Sequence, residues 1–272
     1  MAERIEVSTV DDPRLEVFLG LRDQSTRQRL ERPGAKHSGT FIAEGDLVIE
    51  RGLAKGHSLR SVLISAKRTK PLPELPATTH ILLANDDVLT EVTGRPELRD
   101  PLACFERPPL PSAQELVGAS TVVALLVGLN NPNNLGVIMR NAAGLGVDAI
   151  LLDPTCGDPL YRRAIRSSMG QVFSVPHART DSADVAVRVL HEAGFETVAL
   201  TPSGDRELRD HPQPERVAIL LGAEGPGLPE ETMAAATHRV RISMGNDVDS
   251  LNVANAAAIA FHHYGNVGSE RP

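Results

Sequence analysis

The chain has 272 residues, 41% of them hydrophobic, 23% charged and 3% aromatic, with no Trp and a formal net charge of −7. That length suits one large domain or two ordinary ones, and the composition is that of a globular protein. No uncharged apolar stretch approaches the ~18 residues of a membrane span, and Cys104 and Cys156 are too far apart to suggest a metal spacing or a disulfide framework. The overall acidity argues against indiscriminate binding of polyanions. With no apolar signal core in MAERIEVSTVDDPR, a cytoplasmic protein without metal or membrane partners is expected. The charge is uneven. All four lysines (Lys36, Lys55, Lys67, Lys70) lie in the first 70 residues, and residues 1–110 carry 16 basic against 17 acidic groups, a net of −1 that leaves −6 for the remainder.

In chain order, residues 22–32 (RDQSTRQRLER) read as a polar, basic helix. GTFIAEG reads as a short strand running into a turn, and DLVIERGLAKG has helical spacing ending on Gly56, a plausible cap. LRSVLIS and THILLA read as strands. The three prolines of RPPLPSAQ break both periodicities, so a first α/β domain is expected over residues 1–107, a linker over 108–114 and a second domain over 115–268. After the linker come the branched apolar runs TVVALLVG (121–128), AILL (149–152), FETVAL (195–200) and RVAILLG (216–222), as in strands buried on both faces. Helical segments at 135–145, 182–194 and 229–236 alternate with them, which predicts a parallel sheet with helices on both faces.

Three segments of the second domain carry chemistry. In NNPNNLGVIMRNAAGLGVDAILL, Pro132 and its asparagines turn the chain off a strand's C-terminal edge, where open α/β sheets bind ligands. Asn134 is placed as the helix N-cap, Gly136 permits close approach, and Arg140, in the second turn, slants back toward the helix start. In LLGAEGPGLPEE a buried strand enters a loop of Gly222, Gly225 and Gly227 that holds the lone carboxylate Glu224. In VRISMGNDVDSLNVANAAAIAFHHY a strand at 239–243 ends in a polar loop, and Ser250, a candidate N-cap, opens a helix of small residues. No G-x-G-x-x-G follows any strand and no Walker A sequence occurs, which disfavours a nucleotide-cofactor oxidoreductase.

In this order, the three segments resemble the SpoU/TrmH family of RNA ribose 2'-O-methyltransferases, within the SPOUT superfamily. The resemblance spans about residues 120–265 and rests on Asn134, Gly136 and Arg140, on Gly222, Glu224, Gly225 and Gly227, and on Ser250, Leu251, Asn252 and Val253. Ala254 replaces the usual small polar residue, and IRSSMGQVFSVP (165–176) is similar to the family's connector after the first motif. The first domain is similar, more loosely, to the RNA-binding α/β module that precedes many such catalytic domains.

The resemblance implies a catalytic α/β domain with a deep trefoil knot and S-adenosylmethionine as cofactor, held chiefly by backbone groups at Leu221, Gly222, Ile242, Met244 and Leu251. It implies a homodimer and an RNA substrate, ribosomal RNA ahead of transfer RNA. A non-catalytic RNA-binding or assembly factor is the alternative, and antibiotic resistance through rRNA methylation is a sub-case. It places Arg140 near the ribose 2'-hydroxyl and adjacent phosphate, as base or as electrostatic clamp, with Asn134, Glu224, Ser250 and Asn252 positioning the reactants. Arg22, Arg27, Arg29 and Arg32 on the first helix, and Arg162, Arg163 and Arg166 after the second strand of the catalytic domain, are candidate phosphate contacts.

Overall fold

The computed structural model describes residues 2–21, 23–31, 34–94, 98–246 and 248–266, the side chains of Gln24 and Gln28 excepted. The chain forms two compact units, Met1–Pro109 with Leu160–Phe173, and Leu110–Pro159 with Ser174–Pro272. The expected end of the second domain, at residue 268, lies outside the described residues.

In the first unit, the elements are β1 (Glu3–Val7), α1 (Gln24–Glu31), β2 (Thr40–Glu44), α2 (Asp46–Ala54), β3 (Leu59–Ser65), β4 (His80–Ala84), α3 (Asp86–Thr93) and β5 (Leu102–Glu106). They build a five-stranded mixed sheet in the order β1-β4-β3-β5-β2. β1, β4 and β3 run parallel, while β5 is antiparallel to both β3 and β2. Sequence periodicity identifies β2, β3, β4 and α2 but passes over β1, α3 and β5. β1 is a polar edge strand, ERIEV, with only Val7 buried. α3 is defined by its caps: the Asn85 side chain accepts from Val88 N, and Gly94 closes the helix at φ 82°.

The second unit comprises α4 (Ala113–Gly118), β6 (Val122–Leu126), α5 (Pro132–Gly144) and β7 (Ala149–Leu152), and, after α6 (Arg162–Ser167), which belongs to the first unit, β8 (His177–Arg179), α7 (Ala183–Glu192), β9 (Glu196–Leu200), β10 (Arg206–Glu207), β11 (Val217–Leu221), α8 (Glu230–Ala235), β12 (His238–Arg241) and α9 (Val253–Tyr264). Its seven strands are all parallel, in the order β10-β12-β9-β11-β6-β7-β8. Every residue of β6 and β11 is buried, as their unbroken apolar runs require. Each such Val, Leu or Ile contributes about 1.5–3 kcal/mol on burial. The expected linker is shorter than its prolines suggest. Ser112 caps α4 through a reciprocal box, its Oγ accepting from Glu115 N while the Glu115 carboxylate accepts from Ser112 N.

The sequence places the 165–176 segment with the catalytic motifs, yet its residues up to Phe173 pack in the first unit. Arg162 donates to Glu44 at 2.7 Å and to the Leu21 carbonyl at 3.0 Å. Phe173 joins a ring cluster with Phe41, Phe105 and His57, its centroid 4.8 Å from His57. An arginine-rich stretch read for its charge is thus also an ion-paired, aromatic plug.

Candidate active site

Parallel strands present their carboxyl ends on one edge of the sheet, and the loops leaving β9, β11 and β12 meet there. They enclose a cavity of about 360 Å³. Leu221, Gly222, Ile242, Met244 and Leu251 all line it, as do Glu224, Ser250 and Asn252. Leu200, Thr201 and Pro202 line it too. Sequence motifs do not flag these three, because only the strand order makes β9 the neighbour of β11 and β12.

The glycines are required by backbone proximity. A Cβ on Gly222 would lie 2.2 Å from the Gly227 carbonyl carbon and the Leu228 nitrogen, and one on Gly204 would lie 2.4 Å from the Val240 carbonyl carbon. Gly227 N donates to the Ala223 carbonyl at 3.0 Å, which folds the loop back on itself, while Gly225 and Gly227 adopt φ of 88° and 72°.

Asn252 ties the three motifs together. It is the N-cap of α9, its Oδ1 accepting from Ala254 N at 3.0 Å. Its Nδ2 donates to Asn134 Oδ1 at 3.1 Å and to Glu224 Oε1 at 2.6 Å. The expected cap, Ser250, instead lies exposed in the cavity lining two residues earlier. Asn134 is likewise not a cap. That role belongs to Asn131, which accepts from Asn133 N at 2.9 Å, with Pro132 in the first helical position, where its missing N–H costs nothing. Asn134 sits inside the first turn, and its Nδ2 is buried without a hydrogen-bond partner among the described residues.

Because α5 begins earlier than expected, Arg140 falls in its third turn. At about 100° per residue it is turned roughly 240° from Asn134, whereas Asn141 returns to the Asn134 stripe. Asn134 and Asn141 face α9, Asn141 donating to the Ala254 carbonyl at 3.0 Å. Arg140 is exposed, does not line the cavity, and has no hydrogen bond or ion pair among the described residues.

The other arginines divide by burial. Arg27 is a correction to the phosphate-contact set: it is 1% exposed, paired with Glu31 at 2.6 Å and bonded to the Leu19 carbonyl. Arg162 is committed to Glu44 and Leu21. Arg29, Arg163 and Arg166 are exposed. Arg22 and Arg32 lie outside the described residues. Burial pushes the Cys104 thiol up to about 11 and the Cys156 thiol up to about 12, so both stay protonated near neutrality. Among the described residues no group of three or more His, Cys, Asp or Glu is arranged to hold a metal, and no helix is long and apolar enough to cross a membrane.

A family model described as the SpoU rRNA Methylase family matches residues 121–262, just over half of the chain. The chain belongs to that family. It is therefore an RNA methyltransferase, as the three motifs imply. An "uncharacterized tRNA/rRNA methyltransferase" of Mycobacterium bovis is 41% identical over 263 residues, covering 94% of this chain and 90% of the relative. The 23S rRNA (guanosine(2553)-2'-O)-methyltransferase of Bacillus subtilis is 24% identical over 226 residues, covering 83% and 88%. Among solved structures, an AdoMet-bound rRNA methyltransferase from Sinorhizobium meliloti aligns over 96% of this chain and 97% of its own, at TM-score 0.75 and 26% identity.

Proposed function

We propose that this family member transfers the methyl group of S-adenosylmethionine to a ribose 2'-hydroxyl in ribosomal RNA. The observation that carries this is the Asn252 junction at a glycine-walled cavity: one carboxamide joins Asn134, Glu224 and the start of α9. The cavity suits the donor chemically. Leu221, Ile242, Met244 and Leu251 offer apolar walls to adenine, Gly222 exposes backbone for polar edges, and Glu224 supplies negative charge toward a cationic ligand. Bound there, S-adenosylmethionine supplies a methyl group activated by its sulfonium charge. The relatives' names favour ribosomal RNA, and the Mycobacterium relative's name keeps transfer RNA as the second reading.

The remaining work falls to the protein's own groups. A 2'-hydroxyl is a weak nucleophile while protonated, so it must be aligned and its developing charge stabilised. Asn134 offers a buried donor with no hydrogen-bond partner among the described residues, and Arg140 offers a planar fork of five donors. A guanidinium gives up its proton only at extreme pH, so we assign Arg140 to gripping the adjacent phosphate and stabilising the alkoxide rather than to accepting the proton. We further propose a deep trefoil knot in the catalytic domain, supported by the close backbone crossings at Gly204 and Gly222, and a cytoplasmic homodimer. The exposed Ile259 of α9 and the unengaged Arg140 support the dimer. The first unit is proposed to bind RNA, with exposed Arg29, Arg163 and Arg166 as contacts.

The test is 2'-O-methyl mapping of ribosomal and transfer RNA after incubation with protein and S-adenosylmethionine. Marks on ribosomal RNA are expected. Marks confined to transfer RNA would select the second reading. Arg140→Ala is expected to abolish transfer while calorimetry still detects donor binding, and full activity in that variant would remove the assigned role.

A further inference from the structure

Arg140 has no hydrogen bond or ion pair among the described residues, so the direction of its side chain is set by the helix that bears it. The next residue, Asn141, has no place in the donor cavity, and no other residue of α5 lines that cavity. Asn141 is half-buried, and its Nδ2 donates to the Ala254 carbonyl at 3.0 Å. Ala254 is buried in the first turn of α9, two residues beyond Asn252.

Three contacts fix α5 on α9. At the helix starts, Asn252 Nδ2 donates to Asn134 Oδ1. Asn141 stands seven residues after Asn134, about 20° short of two full turns, and so continues the same stripe. Beyond the helix ends, Asn266 N donates to the Gly146 carbonyl at 3.3 Å, and the chains cross so closely that a Cβ on Gly265 would overlap the Leu145 carbonyl oxygen. The crossing sets how far apart the ends lie. The two asparagine bonds, strung along one stripe, resist rotation of α5 about its own axis. Asn134 also belongs to the site itself, whereas the printed bond of Asn141 serves only to join the helices. Arg140 leaves the helix about 100° from Asn141, so any roll of α5 passes directly to the guanidinium and grows along its side chain.

We propose that Asn141 is a positioning residue for methyl transfer: its bond to Ala254 sets the roll of α5 against α9 and so aims Arg140. The inference rests on the RNA-methylation reading and on the role assigned there to Arg140. A carboxamide suits this task. The Ala254 carbonyl lies in the first turn of a helix and is engaged by the amide four residues on, so removing Asn141 strands no buried acceptor. The loss falls on aim more than on folding, and a displacement of about 1 Å at a catalytic group can cost on the order of 100-fold in rate.

The experiment compares wild type with Asn141→Leu, of similar volume but without the donor, and with Asn141→Gln, which keeps the carboxamide on a longer stem. Calorimetry measures S-adenosylmethionine binding, and thermal melting measures folding. Methyl transfer is followed in single turnovers on in-vitro-transcribed 23S rRNA and transfer RNA over a range of RNA concentrations. The Leu variant is expected to transfer roughly 10–100-fold more slowly at saturating RNA. Its donor affinity and its half-saturating RNA concentration should each stay within about 2-fold of wild type, the pattern of an interaction felt only in the transition state. The Gln variant should regain part of the rate. If the Leu variant does not melt cooperatively, Asn141→Ala, the better helix former, is held to the same outcomes. A wild-type rate, a donor affinity that falls as far as the rate, or a Gln variant no faster than the Leu variant overturns the positioning role while leaving the methylation reading in place. If wild-type protein binds S-adenosylmethionine yet methylates neither RNA, the reading falls and this inference with it.

Discussion

Replacing Asn252 by Asp changes one atom group at the junction of the three motifs. The cap survives, because Asp is as good an N-cap as Asn and its charge favours a helix start. What is lost is Nδ2, which donates to Asn134 and, at 2.6 Å, to the Glu224 carboxylate. A hydrogen bond to a charged group is worth about 1.5–3 kcal/mol. Two carboxylates then face each other, at a repulsion of about 1 kcal/mol in water and about 4 kcal/mol at an effective dielectric of 20 for a ~4 Å separation. Both residues are exposed, so the lower figure applies. The sum is about 3 kcal/mol, or roughly 100-fold in affinity for a ligand that needs the loops in this arrangement. Calorimetric titration with S-adenosylmethionine at pH 7.5 reads it directly. Asn252→Ser, which keeps a cap and adds no charge, isolates the lost bonds and should bind roughly 5-fold more tightly than the Asp variant. A shared proton relieves the carboxylate pair as pH falls, so the Asp variant should regain affinity toward pH 5 while wild type does not. Wild-type affinity in the Asp variant at pH 7.5 would refute the view that this junction organises the cavity.

Two further outcomes follow from the same geometry. Gly222→Ala places a methyl 2.2 Å from backbone atoms that cannot rotate away, whereas Gly225→Ala, with nothing within 4 Å, meets only the strain of φ 88°. Overpacking of the first kind costs about 1–3 kcal/mol or more, so donor affinity should drop ~10–100-fold by calorimetry, and the Gly225 variant should retain the greater share. A Gly222→Ala protein that binds normally would mean the 222–228 loop is far softer than it is packed. His57 is half-buried among three Phe rings, and burial lowers its pKa below the ordinary value of about 6.5. The unfolded chain therefore protonates first as pH falls, and the folded state loses stability below about 6.5. Melting temperatures between pH 7.5 and 5.5 should fall less in His57→Phe than in wild type. Buried His37 and His211, lowered for the same main reason, leave a residual slope. Equal falls in the two proteins would show that His57 takes no part.

The sequence discloses the catalytic sheet well because β6 and β11 are buried on both faces and so are apolar at every position. It discloses less where structure is set by partners far along the chain. β1 is polar and pairs with β4 some 75 residues later, and nothing local marks it. Arg27 and Arg162 share the look of solvated cations, yet Glu31, Glu44 and two carbonyls draw them inward. At the site, residue types and spacing locate the cavity residues, but both N-caps are misplaced, by three residues at α5 and two at α9. Asn and Ser compete for cap positions on equal terms, and in N-N-P-N-N the proline decides, since its fixed φ suits the first helical position. Thr201 and Pro202 are hidden because strand order, which no local pattern encodes, makes them cavity wall.

The position of Arg140 separates two parts of the reaction. Gly222, Glu224 and Asn252 line the cavity proposed for the donor, and Asn252 joins Glu224 to Asn134 through its Nδ2. Arg140 lies outside that network, on a helix stripe turned from the one docked on α9. Removing it therefore disturbs no contact on which the cavity depends, which is the physical ground for expecting Arg140→Ala to spare donor binding. An exposed arginine with no carboxylate partner among the described residues keeps its donors for an incoming phosphate. Donor affinity and transfer should accordingly respond to different substitutions: the first to Gly222 and Asn252, the second to Arg140.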